Sequence, residues 1–150
     1  MEYITKKNKV RYYETDQMGF VHHSNYLKYF EMSRIEWFEF LDIKYEELEK
    51  KNIWLPVVEC SIIYNNPLFF GDEFEIHINC EKEPMSTIEF KYQIFKGNKV
   101  KICSGTTKLA FYDPKTKKPK KCPIEIKEKF FNSKIIHIIY HYLSFYNHNH

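Results

Sequence analysis

Between Val10 and Tyr26 the chain reads Val10-Arg11-Tyr12-Tyr13-Glu14-Thr15-Asp16-Gln17-Met18-Gly19-Phe20-Val21-His22-His23-Ser24-Asn25-Tyr26. A carboxylate, Asp16, sits in a polar break that contains a glycine, and a helix follows at once. The first turn of a helix has backbone amides without intrahelical partners, and these stabilise negative charge. A carboxylate that faces such amides across a cleft is suited to acyl transfer, as base or nucleophile opposite an oxyanion site. Taken alone, an aspartate before a helix also fits a turn-former or a cap. The histidines offer less. His22 and His23 match no metal pattern, and His137 and His141, four apart, have no third ligand with them, so no metal or other cofactor is expected. Cys60, Cys80, Cys103 and Cys122 lie about 20 residues apart, which fits neither a zinc ribbon nor a redox pair and predicts buried, reduced thiols in a cytoplasmic protein.

The elements that must position Asp16 can be read from the change in periodicity. Tyr3 to Tyr13, rich in aromatic and β-branched residues, predicts a strand. Ser24 or Asn25 then caps a helix to about Leu41, whose Tyr26, Phe30, Ser33, Trp37 and Phe40/Leu41 recur every three or four residues as one apolar stripe. Lys28, Glu31, Glu36 and Glu39 mark its wet face, and Asp42 to Lys51 predicts a short charged helix. From Ile53 the period becomes two. Leu55 to Tyr64, Glu73 to Cys80 and Ile88 to Ile94 read as strands, with Lys96 to Lys99 as a hairpin connection because Gly97 and Asn98 tolerate positive φ. The last strand shifts phase between Ile102 and Leu109, predicting a bulge near Gly105. One amphipathic helix and a one-sided antiparallel sheet must bury each other, so the fold class is α+β.

Composition narrows the function. With 43% hydrophobic, 18% aromatic and 29% charged residues in 150, one ordered domain is expected. No apolar run nears the roughly 20 residues of a transmembrane helix, and the opening residues lack a secretory layout. A net charge of +3 is too small to argue for nucleic acid. The basic loop from Lys115 to Lys121 is weak evidence for a binding patch, because only Arg11 and Arg34 among 23 basic residues are arginines. Residues 131–150, apolar with histidines and no acid, read as a tail or short helix that packs on the domain or on a partner.

The motif resembles the acyl-CoA thioesterases of the 4-hydroxybenzoyl-CoA thioesterase type, in particular the bacterial branch associated with the Tol–Pal system. The resemblance rests on Tyr12-Tyr13-Glu14-Thr15-Asp16-Gln17-Met18-Gly19, then Val21, His23, Asn25-Tyr26, Phe30-Glu31 and Arg34, with Pro67, Asp72, Gly105, Asp113-Pro114 and Pro119 beyond. It implies a hotdog fold over residues 1–130, a long central helix wrapped by a curved antiparallel sheet of about five strands. It further implies a homodimer or homotetramer with sites at subunit interfaces. Asp16 matches the catalytic aspartate, and His23 the helix-start position whose amide polarises the thioester carbonyl. Tyr12 matches an aromatic position near the site. Gly19, Tyr26 and Glu31 complete the candidate substrate-binding set, while Met18 stands where such proteins often carry a smaller residue. The activity implied is hydrolysis of an acyl-CoA thioester to free acid and CoA. An acyl-carrier-protein thioester as substrate, or a non-catalytic acyl-binding module, are the alternatives.

Overall fold

The computed structural model describes residues 1–148. Its main sheet holds β1 (Glu2–Ile4), β2 (Asn8–Lys9), β3 (Val57–Tyr64), β4 (Glu73–Asn79), β5 (Thr87–Lys96) and β6 (Val100–Ala110), all antiparallel. The order is β1–β4–β5–β6–β3, with β2 pairing on β4 beside β1. Six segments therefore fill five lanes. A small hairpin, β7 (Tyr112–Asp113) with β8 (Lys118–Pro119), takes up the lysine-rich loop. Three helices complete the chain: α1 (Asn25–Phe40), α2 (Tyr45–Lys50) and α3 (Ile124–His148).

The apolar stripe of α1 lies across the inner face of the sheet. Tyr26, Tyr29, Phe30, Ser33, Trp37 and Phe38 are buried, and they meet Phe74, Ile76 and Ile78 of β4, Phe90, Tyr92 and Ile94 of β5, and Cys103, Thr107 and Leu109 of β6 in one core. Phe30 stacks on Tyr92 at 4.1 Å between centroids, and Trp37 meets Phe90 edge-on at 5.0 Å. The outward residues of β4, Glu75, His77 and Asn79, alternate with the buried ones, as a one-sided sheet requires. Arg34 is the exception on the helix, a buried guanidinium that donates to the Tyr92 hydroxyl at 3.1 Å, with Tyr92 in turn bonded to Thr107 at 2.6 Å.

Several expectations need correction. The opening strand is not continuous. Thr5, Lys6 and Lys7 face only Glu75 and Ile76, and the Thr5 hydroxyl, in place of a main-chain carbonyl, accepts the Ile76 N–H at 3.1 Å. The ladder is broken there, and residues Tyr12–Glu14 form a 3-10 turn instead of strand. The β6 bulge is at Ile102, because Ile94 pairs with Cys103 while Phe95 pairs with Lys101, so Ile102 and Cys103 both turn inward. Gly105 serves another purpose. A Cβ there would lie 2.5 and 2.7 Å from two Phe30 ring carbons and 2.8 Å from the Ser61 carbonyl oxygen, so glycine is what allows Phe30 to settle on the sheet. In the β5–β6 connection the positive φ values belong to Gly97 and Lys99, not Asn98. All four cysteines are free, but Cys60 is exposed on β3 while the other three are buried. Phe40 is 56% exposed and packs on Tyr3 rather than in the core. The apolar tail is no short helix. It continues α3, which starts at Ile124 inside the segment assigned to the domain.

The loop that joins β3 to β4 is pinned by Asp72. Its Oδ2 accepts the Phe69 N–H and the Lys96 ammonium, both at 2.9 Å, while Gly71 takes φ +83 to close the turn. Burial alone would raise the Asp72 pKa, but the bonds from Lys96 and Phe69 outweigh it and the net shift is downward. A depressed native pKa contributes stability above the unfolded-state value that is lost as pH falls through the native value. Thermal unfolding of wild type and Asp72→Asn across the acid range should therefore converge at the lowest pH. The pH-dependent difference is expected to be no more than about 1 kcal/mol, because the pair is partly screened by water. Parallel curves at every pH would show that the carboxylate's charge does not contribute.

Candidate active site

The loop from Thr15 to Val21 is built around Asp16. Thr15 and Val21 bridge, the Asp16 N–H donates to the Phe20 carbonyl at 2.9 Å, and the Gly19 N–H returns to the Asp16 carbonyl at 3.0 Å. Gly19 has φ +86, a region a side chain would disfavour, so its glycine is a geometric need of the turn. The Asp16 carboxylate accepts the Met18 N–H through Oδ1 at 2.8 Å, and Oδ2 has no hydrogen-bond partner among the described residues. Phe20 and Val21 tie this loop to the β3–β4 connection, by a bridge to Phe69 and by the Val21 N–H to the Leu68 carbonyl at 2.8 Å.

Glu14 fixes the loop against α1. It is buried, with Oε2 accepting the Arg11 N–H and the Tyr29 hydroxyl, each at 2.8 Å. Its carbonyl oxygen accepts the His22 N–H at 2.9 Å and the Asn25 side-chain amide at 2.8 Å. Burial, then the Glu14 carboxylate, push the Tyr29 hydroxyl far above its usual range, so it stays a neutral donor. In the sequence Glu14 belongs to the motif without a role of its own, and its only signal is an acid two residues before Asp16, among aromatics.

The N-terminus of α1 then faces the same space. Ser24 is the cap residue, but its hydroxyl bonds to the His22 ring at 2.8 Å rather than to a helix amide. The His23 N–H donates to no acceptor among the described residues, and the His23 carbonyl takes the Tyr64 hydroxyl at 3.1 Å. Tyr64 packs edge-on against Tyr26 at 5.3 Å. Burial raises the pKa of both phenols, so both are protonated at neutral pH. The far wall hangs from the β6 bulge: the Ile102 carbonyl accepts the Asn65 and Asn66 amides at 2.8 and 3.1 Å.

Asp16, His23 and Tyr26 thus line one cleft of about 400 Å³ with Met18, Phe20, Val21, Tyr64, Asn65, Asn66 and Pro67. Gly19 lies in the turn behind Asp16 without lining it. Tyr12 is 78% exposed and meets Phe70 edge-on at 5.7 Å outside this wall. Glu31 is exposed on α1, 4.0 Å from Arg34, also away from the cleft. A larger hollow of about 570 Å³ at the start of β4 is lined by the Asp72–Lys96 pair and by no helix N-terminus. Among the described residues, no three His, Cys, Asp or Glu side chains converge as metal ligands.

The match to a known family covers residues 10–130, which include every element of this site. The chain belongs to the thioesterase-like superfamily. Within this superfamily it is 32% identical over 134 residues to the 1,4-dihydroxy-2-naphthoyl-CoA hydrolase of Prochlorococcus marinus, across 82% of this chain and 83% of that one. It is 28% identical over 127 residues to the acyl-CoA thioesterase YbgC of Haemophilus influenzae, across 84% and 93%. Among solved structures, the DHNA-CoA thioesterase from Staphylococcus aureus superposes with a TM-score of 0.83 at 27% identity, covering 91% of this chain and 93% of that one. The architecture is the hotdog thioesterase fold, and thioester hydrolysis is the family's chemistry. The thioesterase-like match ends at Phe130, so most of α3 lies outside it.

Proposed function

We propose that the protein hydrolyses an acyl-CoA thioester to the free acid and CoA in the Asp16 cleft. The observation that carries this reading is the meeting of a carboxylate and the N-terminus of α1 on the walls of one cleft. Asp16 acts on the thioester carbon in one of two ways. As general base it takes a proton from water while the water oxygen bonds to carbon. As nucleophile it forms a mixed anhydride that water then cleaves. In either case the carbonyl oxygen gains charge, the His23 amide receives it, and the C–S bond breaks with the electron pair leaving on the CoA thiolate. A thiolate is a good leaving group, so the step needs no strong general acid. Tyr26 and Tyr64 offer an aromatic wall to the acyl group, Gly19 shapes the turn that presents Asp16, and exposed Tyr12 stands ready for the carrier part of the substrate. The Tyr12–Gly19 motif supports placing the chain in the Tol–Pal-associated branch, and hydrolysis in the cytoplasm fits its thiol chemistry.

The active unit in this reading is a homodimer or larger. β3 is an edge strand with Val57, Val58, Ile63 and Tyr64 all 46% exposed or more, and it ends on the cleft residues Tyr64, Asn65 and Asn66. An apolar free edge is an association surface. A second copy paired on β3 would cover it beside the cleft, and light scattering should show at least a dimer; a fully active monomer at micromolar concentration contradicts this.

The reading is tested by supplying one acyl chain on CoA and on acyl-carrier protein and following release of thiol. Preferential cleavage of the CoA thioester is expected. Cleavage of the carrier-protein thioester alone would move the substrate class, and cleavage of neither would overturn the assignment.

A further inference from the structure

Four consecutive main-chain amides, His22 to Asn25, lead into α1, and three of them are bonded. The His22 N–H donates to the Glu14 carbonyl and the Asn25 N–H to the His22 carbonyl, each at 2.9 Å. The Ser24 N–H donates to Nδ1 of the His22 ring at 3.3 Å. The His23 N–H, in the middle of the set, is the one without an acceptor among the described residues. A main-chain N–H can only donate, so Nδ1 is the acceptor, and the Ser24 hydroxyl, 2.8 Å from the same atom, donates to it too. The half-buried His22 ring thus does what a serine or asparagine side chain does at other helix starts. The Glu14 carbonyl that holds the His22 N–H also accepts the Asn25 side-chain amide at 2.8 Å, and Glu14 precedes Asp16 by two residues. One set of bonds therefore joins the Asp16 loop to the start of α1.

We propose that His22 is a positioning residue for the hydrolysis, its Nδ1 holding the His23 N–H at the angle that receives the carbonyl oxygen. The inference rests on the hydrolase reading above. Its physical basis is the ring of atoms closed by the bond from the Ser24 N–H to Nδ1. That ring contains the His23 nitrogen and the two backbone rotations beside it, ψ of His22 and φ of His23, which set where the His23 N–H points. His23 lines the cleft with Asp16, so holding those rotations fixes the amide relative to the carboxylate. The tolerance is small. A donor serves an oxyanion at about 2.7–3.1 Å, and a misplacement of about 1 Å costs up to roughly 100-fold. The His22 ring also lies against the His23 ring, with centroids 4.2 Å apart, and an imidazole can itself carry a proton. Acceptor, ring contact and proton carrier are separable roles, and the acceptor is the one proposed.

The test is steady-state thiol release by wild type, His22→Phe, His22→Asn and Asp16→Asn. The substrate is whichever CoA thioester, among short, long and aromatic acyl groups, the wild type cleaves fastest. Phenylalanine keeps a ring beside His23 and has no acceptor. Asparagine has no such ring but offers its side-chain oxygen to the N–H two residues on. His22→Phe is expected to lower kcat about tenfold with KM little changed, less than the roughly 10²–10³ lost when an oxyanion donor is removed outright. His22→Asn should keep most of the wild-type kcat. The reverse order would assign the role to ring contact, and equal loss in both would make the imidazole itself the acting group; either result overturns the inference. Wild-type kcat in both variants while Asp16→Asn is impaired also overturns it, and leaves the hydrolase reading standing. Wild type that releases no thiol overturns the hydrolase reading and this inference with it. Thermal unfolding checks that the variants fold, and His22→Leu, which also lacks an acceptor, replaces His22→Phe if the phenyl ring disturbs the structure.

Discussion

Asp16→Asn should lower thioester turnover by roughly 100-fold or more, the lower range for removing a positioned acid–base group. The amide keeps the side chain's size and its Oδ1 bond from the Met18 N–H, so the turn from Asp16 to Gly19 is expected to survive. What is lost is the charge at Oδ2. Substrate affinity should change little, because the missing interaction belongs to the transition state. His23→Ala separates two roles for its neighbour. Alanine retains the backbone N–H at the start of α1, so a small loss of kcat is expected where the amide alone holds the oxyanion. A loss as large as that of Asp16→Asn would make the imidazole the acting group. Near wild-type turnover by a folded Asp16→Asn would reduce Asp16 to a turn residue.

Gly105→Ala should destabilise the fold by roughly 2–3 kcal/mol, the range for forcing a methyl group into a filled core. The contacts leave little room to relax. One is the Ser61 carbonyl of the paired β3 strand, and the others belong to Phe30, which is fully buried and stacked on Tyr92. For a chain of this size, denaturation should shift downward by about 5–10 °C. Combining Gly105→Ala with Phe30→Leu should recover part of the loss beyond additivity, since the two positions share one contact. A single substitution within about 0.5 kcal/mol of wild type would show that Phe30 can move aside. Phe30 lies one turn beyond Tyr26 on α1, so the same pair of measurements reports how firmly the helix is seated behind the cleft.

The sequence made the central helix legible because burial imposes a spacing of three and four on Tyr26, Phe30, Ser33 and Trp37. It made the Asp16 loop legible because a left-handed turn needs Gly19 and a polar break must separate strand from helix. The features it hid arise from long-range pairing. Nothing in the local pattern tells that Thr5 bonds Ile76 through its hydroxyl and breaks the first strand, 71 residues away. The phase shift in β6 was visible, but its glycine drew the bulge to the wrong residue, since Gly105 answers to Phe30 on α1 and Ile102 to the register with β5. Glu14 was hidden for a similar reason. A buried carboxylate looks like a solvated one until Tyr29 and the Arg11 amide are seen to bond it. Of the residues proposed for the site, those within the loop and the first helical turn converge, because they are close in the chain. Tyr12 and Glu31 stand apart because a 3-10 turn carries one onto Phe70 and the helix carries the other towards Arg34.

The measurement that bears most directly on the account is thiol release from a panel of CoA thioesters, with short, long and aromatic acyl groups, by the purified wild-type chain. The cleft geometry predicts catalysed release from at least one of them, with free CoA and free acid formed in equal amounts. No release from any thioester by the folded protein would contradict it.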